Sequence, residues 1–286
     1  MSRWRNRRQK FRAILEGDTC VYPASVYDPI SVRIAEHIGY EMGMYAGSLA
    51  SLAVLAAPDL ILLTQTEYAQ QAHRMGRASE LPLFADADHG YGNALNVKRT
   101  VEELEFSGLA GLSIEDTDLP QPHGSDGKAS LLSIEEGVGK MRAAIAGRAD
   151  PAMVIAGRTS AAQLTSIDDA IARAKAYVGA GVDAIFLVGV PNREALETIA
   201  AEISVPVLLG GGAKGMRDPA WLAGQGVRFL LRGHHTFSAS VQAIHDTMQA
   251  LRDGVAPEDV AGMASSDLMR AVTKGDDYTR QGKDWL

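Results

Sequence analysis

The sequence predicts an α/β fold, a (β/α)8 TIM-type barrel with extra helices at its C-terminal end, on three observations. Short apolar runs rich in Val, Ile and Leu recur with helix-patterned stretches between them, the alternation expected of parallel βα units. Eight such runs fall between about residues 19 and 251, a number that selects a barrel over an open doubly wound sheet. No shift of composition and no linker divides the chain, so residues 1–286 read as one barrel domain with a helical tail over about 255–286.

The elements follow in order. Arg3, Arg5, Arg7, Arg8, Lys10 and Arg12 open the chain without the apolar stretch of a signal peptide, and read as the solvated face of a first helix. The first strand falls at 19–24; Asp28 before Pro29 then marks the cap and first turn of a helix ending at Gly39. The second strand, 40–45, leads into Gly47 and Ser48, and Thr64 with Glu67 forms a capping box for a helix over 66–79. The third runs from the apolar stretch 81–85 into Asp86 and Asp88, which at a strand's period of two project to the same side. Gly90 and Gly92 let the backbone bend sharply before a helix over 94–107.

The fourth strand, 110–114, ends on Glu115 and Asp116, adjacent residues that point to opposite faces. Residues 117–130, rich in Pro, Gly, Asp and Ser, are long enough to form a mobile flap. A helix over 133–147 returns the chain to the fifth strand, 152–156, which ends on Gly157, Arg158 and Thr159. The sixth strand is 184–188, the seventh 205–209 with glycines 210–212 behind it, and the eighth 227–231, running into His234, His235 and a helix to about 251.

Composition narrows the function. A net charge of −7 argues against nucleic acid or an anionic membrane as partner, and no segment approaches the ~20 apolar residues of a membrane span. A lone Cys20 excludes an intrachain disulfide and a cysteine-based metal site. The expected location is cytoplasmic. In a barrel of this type the active site lies at the C-terminal ends of the strands. By that rule Gly47, Ser48, Asp86, Asp88, Glu115, Arg158 and one of His234 and His235 share one mouth. Crowded carboxylates repel unless a cation lies among them, and oxygen ligands suit a hard ion such as Mg²⁺. Each residue also has a plainer reading: Asp86 and Asp88 as loop or capping residues, Ser48 as a helix N-cap, Arg158 in a structural ion pair, one of the paired histidines as a cap. His37, His73 and His245 lie within helix patterns and read as surface or packing residues, and the 210–215 loop reads as a phosphate cradle or as turn glycines.

Taken together, Tyr45-Ala-Gly-Ser48, Pro58-Asp59, Asp86-Ala-Asp88 with Gly90-Tyr-Gly92, Ser113-Ile-Glu-Asp116 and Gly157-Arg158-Thr159 resemble the isocitrate lyase/phosphoenolpyruvate mutase superfamily over roughly residues 11–250. His89 stands where that family often has Thr. Members that cleave or condense carbon skeletons carry a Lys-x-Cys-Gly-His type flap whose Cys is the acid; here residues 120–128 contain no cysteine. What remains is most similar to the oxaloacetate decarboxylase branch. The resemblance implies Mg²⁺-dependent loss of CO₂ from oxaloacetate through a metal-stabilised enolate, with Mn²⁺ as an alternative ion. It implies that Asp86 holds the ion directly, with Asp88, Glu115 and Asp59 acting through its water, that Gly47 and Ser48 bind substrate, and that Arg158 and His234 contact substrate and take part in catalysis. It implies a homo-oligomer, a tetramer built as a dimer of dimers. The alternative is a methylisocitrate-like C–C lyase, or a phosphonate mutase or hydrolase, with an acid such as His123 or Asp126 on the flap.

Overall fold

A computed structural model describes residues 3–286. Eight parallel strands lie in chain order: β1 (Ala24–Ser25), β2 (Gly43–Tyr45), β3 (Leu83–Asp86), β4 (Gly111–Glu115), β5 (Val154–Thr159), β6 (Ala184–Leu187), β7 (Val207–Leu209) and β8 (Val227–Leu230). The helices are α1 (Arg3–Glu16), α2 (Pro29–Ile38), α3 (Gly47–Ala50), α4 (Gln65–Ala78), α5 (Ala94–Phe106), α6 (Ile134–Gly147), α7 (Ala161–Leu164), α8 (Ile167–Ala180), α9 (Arg193–Ala201), α10 (Pro219–Gly224), α11 (His235–Arg252), α12 (Ser266–Thr273) and α13 (Gly275–Trp285). The scaffold is thus an α/β TIM-like fold with additional C-terminal helices. Among the described residues no helix is long and apolar enough to cross a membrane.

The barrel is less closed than the sequence leads one to expect. Among the described residues β1 and β8 share no ladder, and the seam is a single bridge ahead of β1, where the Val21 N–H donates to the Arg228 carbonyl (2.9 Å) and the Leu230 N–H donates to the Val21 carbonyl (3.1 Å). The cause lies in the first apolar run, where Pro23 has no N–H to give to a ladder. Pairing with β2 resumes only at Ala24 and Ser25.

Local signals place the helices well. Asp28 accepts from the Ser31 N–H, Gly39 closes α2 at φ +95°, and Thr64 and Glu67 cap α4 reciprocally. Gly39 suits that position because a residue with a Cβ is strained there.

The N-terminal arginines do not form a solvated face. Phe11 and Leu15 of α1 insert among Met42, Met44, Phe84, Val154 and Phe229, plugging the N-terminal end of the barrel interior. Arg7 and Arg8, at 1% and 5% exposure, go in with them. Arg7 donates to the carbonyls of Gly76 and Ser79 at the end of α4, and Arg8 to those of Glu105 (2.6 Å) and Leu109 (3.1 Å) at the end of α5. A cation at a helix C-terminus meets carbonyls that lack intrahelical partners and the negative end of the helix dipole. Arg5 and Lys10 are exposed as expected, and the side chain of Arg3 lies outside the described residues.

Candidate active site

The mouth is a cavity of about 430 Å³ at the C-terminal ends of the strands, and it contains Ser48, Asp59, Asp86, Asp88, Glu115, Arg158 and His234 in its wall. Asp86 is the last residue of β3 and faces the mouth, its Oδ1 accepting from Ser113 Oγ on β4 (3.2 Å). Asp88 arrives by another route than the strand period. β3 stops at Asp86, and Asp88 takes a left-handed conformation (φ +48°) in a tight turn closed by Gly90 N–H on the Ala87 carbonyl (2.9 Å). Asp tolerates that region better than most residues, and such strain concentrates at functional sites. The turn is held from below by the buried Lys140, whose Nζ donates to the His89 carbonyl (3.0 Å).

Gly47 stands behind this turn and is not part of the cavity wall. A Cβ there would collide with the Asp88 carboxylate, so the position must be glycine for the acid to seat. Ser48 does line the cavity and is not an N-cap, for Ala46 holds that place ahead of α3. Glu115 and Asp116 separate as adjacent strand-end residues should. Glu115 turns to the mouth, whereas Asp116 is wholly buried against Arg173 (3.0 Å) and Tyr177 (2.6 Å).

Arg158 on β5 pairs with Asp86 and, at 3.3 Å, with Glu115. Burial works against its charge, but Asp86 and Glu115 outweigh that and keep the guanidinium protonated. The Phe186 ring lies 5.7 Å beneath it. One guanidinium does not balance four carboxylates. Burial pushes Asp88 well above the usual carboxylate range, with Asp86 and Glu115 adding repulsion; burial likewise raises Glu115 and Asp59, each further repelled by Asp86 and only partly relieved by Arg158.

His234 precedes α11 and lines the mouth, while His235 lies outside the wall. Burial holds the His234 imidazole below its ordinary range, partly offset by Asp86 and Asp59. Its Nδ1 lies 2.8 Å from Ser25 Oγ. Ser25 was missed in the sequence because the first strand was ended one residue early, at 24; the strand-end rule that found the others applies to it equally. The flap adds Leu119, Pro120 and Gln121 to the wall, whereas His123 and Asp126 are exposed and outside it. Phe186, Val188, Leu60 and Ile61 supply apolar wall that carried no chemical signal in the sequence. His37, His73 and His245 are exposed, as their helix positions imply.

The donor set suits a divalent ion: it is all oxygen, and its excess negative charge is what such an ion would neutralise. No group of three acidic or histidine side chains is gathered for direct ligation among the described residues. Mg²⁺ usually keeps several waters, so a site for it needs few direct carboxylates. Asp86 has two oxygens and lone pairs to spare beyond Arg158 and Ser113.

An acidic mouth threaded by one arginine and one histidine stands at the strand ends of a TIM-like scaffold, where enzymes of this fold keep their active sites. The particular family follows from comparison: the chain belongs to the phosphoenolpyruvate phosphomutase family, whose model matches residues 11–252. An oxaloacetate decarboxylase of Bradyrhizobium diazoefficiens is 53% identical over 99% of this chain and 98% of its own. An oxaloacetate decarboxylase of Rhodopseudomonas palustris is 54% identical over 96% and 94%. Among solved structures, a phosphonopyruvate hydrolase in complex with oxalate and Mg²⁺ superposes with a TM-score of 0.85 at 27% identity, covering 98% of this chain and 99% of its own.

Proposed function

We propose that the chain decarboxylates oxaloacetate to pyruvate and CO₂ with Mg²⁺ as cofactor, Mn²⁺ being an alternative ion. The observation that carries this reading is the mouth itself, where Asp59, Asp86, Asp88 and Glu115 share the single Arg158. The full-length likeness to relatives named oxaloacetate decarboxylase supports the same substrate.

In this reading Asp86 holds the ion directly, and Asp88, Glu115 and Asp59 orient its water. When bound, Mg²⁺ supplies Lewis-acid stabilisation of charge developing on the keto oxygen. Arg158, aligned by Asp86 and Glu115, offers a donor fork to the C1 carboxylate. Ser48 presents a further donor to the same end of the substrate, and Gly47 behind it leaves the room that the Asp88 carboxylate needs. His234 contacts the C4 carboxylate that departs. Leu119 and Pro120 shield the site from bulk water. The enolate carbon takes its proton from water, consistent with a flap that brings no acid into the wall.

The C–C lyase and phosphonate readings draw less support. Their candidate acids, His123 and Asp126, are outside the cavity, and among the described residues its wall contains no second arginine for a phosphonate dianion. The test is pyruvate formation from oxaloacetate with Mg²⁺, with EDTA, and with Asp86→Ala, each corrected for metal-catalysed decay. We expect a rate far above background that falls at least ~100-fold in both controls, as removal of a principal electrostatic stabiliser does. Calorimetry should show oxalate, a planar mimic of the enolate, binding only with Mg²⁺. A wild-type rate no greater than background removes the proposal.

We also read residues 1–286 as one domain with its tail over about 255–286. Support comes from Arg33, which donates to the Thr273 carbonyl (3.0 Å), and from Lys274 paired with Glu36 (3.6 Å). We further propose a homo-oligomer, a dimer of dimers; the unburied apolar residues of α11 support contact between subunits.

A further inference from the structure

We propose that Ser25 is the positioning residue of the site: it fixes the neutral His234 ring as the tautomer that carries its proton on Nε2 and directs that N–H into the cavity. This rests on the role of His234 given above, and it adds a residue on the opposite side of the barrel seam.

Three contacts converge there. Ser25 Oγ lies 2.8 Å from His234 Nδ1, the Thr236 hydroxyl donates to the Ser25 carbonyl (2.8 Å), and the Tyr27 and Phe237 rings meet edge to face at 5.0 Å. No strand ladder holds β1 to β8 at this end, since the one bridge across the seam among the described residues is at Val21, ahead of β1. The seam at the mouth is therefore closed by side chains, and the imidazole is one of them. Gly233, at φ +86°, provides the sharp exit from β8 that turns His234 back toward β1.

The direction of the bond follows from the hydroxyl and the substrate. A neutral imidazole has one donor and one acceptor nitrogen, and the bond at one fixes the proton on the other. Ser25 Oγ has no other hydrogen-bond partner among the described residues, so its proton is free to go to Nδ1. Nε2 then carries the hydrogen. A carboxylate accepts from an N–H and is repelled by a lone pair, so this tautomer alone suits an anionic ligand.

The experiment is ¹⁵N NMR of histidine-labelled full-length protein at pH 8, above the ordinary imidazole range of about 6.5, with the His234 signals assigned by their loss in His234→Asn. We expect a single Nε2–H tautomer in the wild type, a mixture in Ser25→Ala, and restoration in Ser25→Thr, which keeps the hydroxyl. With oxaloacetate, Ser25→Ala should lower kcat about tenfold with KM changed less than threefold, and Ser25→Thr should recover most of the rate. An Nδ1–H tautomer in the wild type overturns the proposal, as does a Ser25→Ala spectrum identical to wild type. The ring signals do not depend on turnover: absence of decarboxylation with the expected tautomer pattern removes the reading of the substrate and leaves the placement of His234 standing.

Discussion

At the scale of single residues, the site depends on room as much as on charge. Gly47 makes no contact with the cavity, yet the Asp88 carboxylate occupies the space where its Cβ would be. Gly47→Ala must displace Asp88 or bend α3, and forcing an atom into a packed site costs about 1–3 kcal/mol. We expect a lower urea midpoint, equivalent to a stability loss of that order, and a decarboxylation rate reduced at least tenfold; unchanged kinetics would show that Asp88 is not needed where it stands. Cys20 makes the opposite case, a reactive residue type in an inert setting. It is 8% exposed, and burial, partly opposed by Arg228, pushes its thiol up to about 11. A raised thiol is protonated below that pH, and only the thiolate attacks. At pH 8.5 iodoacetamide should therefore modify native protein roughly 100-fold more slowly than urea-unfolded protein, with the rate climbing only toward pH 11. Rapid native labelling at pH 8.5 would mean that the first strand opens.

At the scale of elements, the sequence was most legible where local chemistry decides the outcome. The caps at Asp28 and Thr64 and the stop at Gly39 lie where the pattern puts them, because the capping oxygen and the helix it serves are a few residues apart. Strand ends were less legible. The apolar runs at 19–24 and 40–45 contract to Ala24–Ser25 and Gly43–Tyr45, since pairing depends on neighbours distant in sequence and on Pro23. That same uncertainty hid Ser25 and made Asp88 look like a strand residue. Arg7 and Arg8 were misjudged for a related reason: nothing local says that the carbonyls ending α4 and α5 will be waiting for them. The α1 plug gives this a measurable consequence. Phe11 is fully buried and lies 5.5 Å from Phe84, which in turn touches Phe186 and Phe229 under the mouth. Phe11→Ala should cost about 3–5 kcal/mol, seen in the urea midpoint, and should lower activity as the aromatic floor relaxes. A loss below about 1 kcal/mol would mean that α1 packs loosely and does not support the site.

At the scale of the whole molecule, the last helix of the barrel set departs from the others. α2, α4, α5, α6, α8 and α9 each bury residues against the sheet or a neighbouring helix, whereas α11, with 18 residues, buries none. Its apolar residues are nonetheless ordered: Val241, Ile244, Met248 and Leu251 fall at helical spacing and are 51%, 55%, 67% and 45% exposed. A stripe of that kind on a helix that buries none of its residues implies a covering surface. Met263, Met269, Tyr278 and Trp285 on the C-terminal tail are exposed as well. The proposed occupant is a second copy of the chain, and the helix that follows His234 then links that contact to the mouth. Sedimentation should find the wild type as a homo-oligomer, and Ile244→Glu with Met248→Glu should yield smaller species with unchanged helical circular dichroism. Charged side chains cost little on a solvated helix and several kcal/mol in an apolar contact, so the double variant separates the two states of this face. A monomeric wild type would leave α11 without its partner and remove the proposed assembly, while leaving the chemistry of the mouth to be judged by pyruvate formation alone.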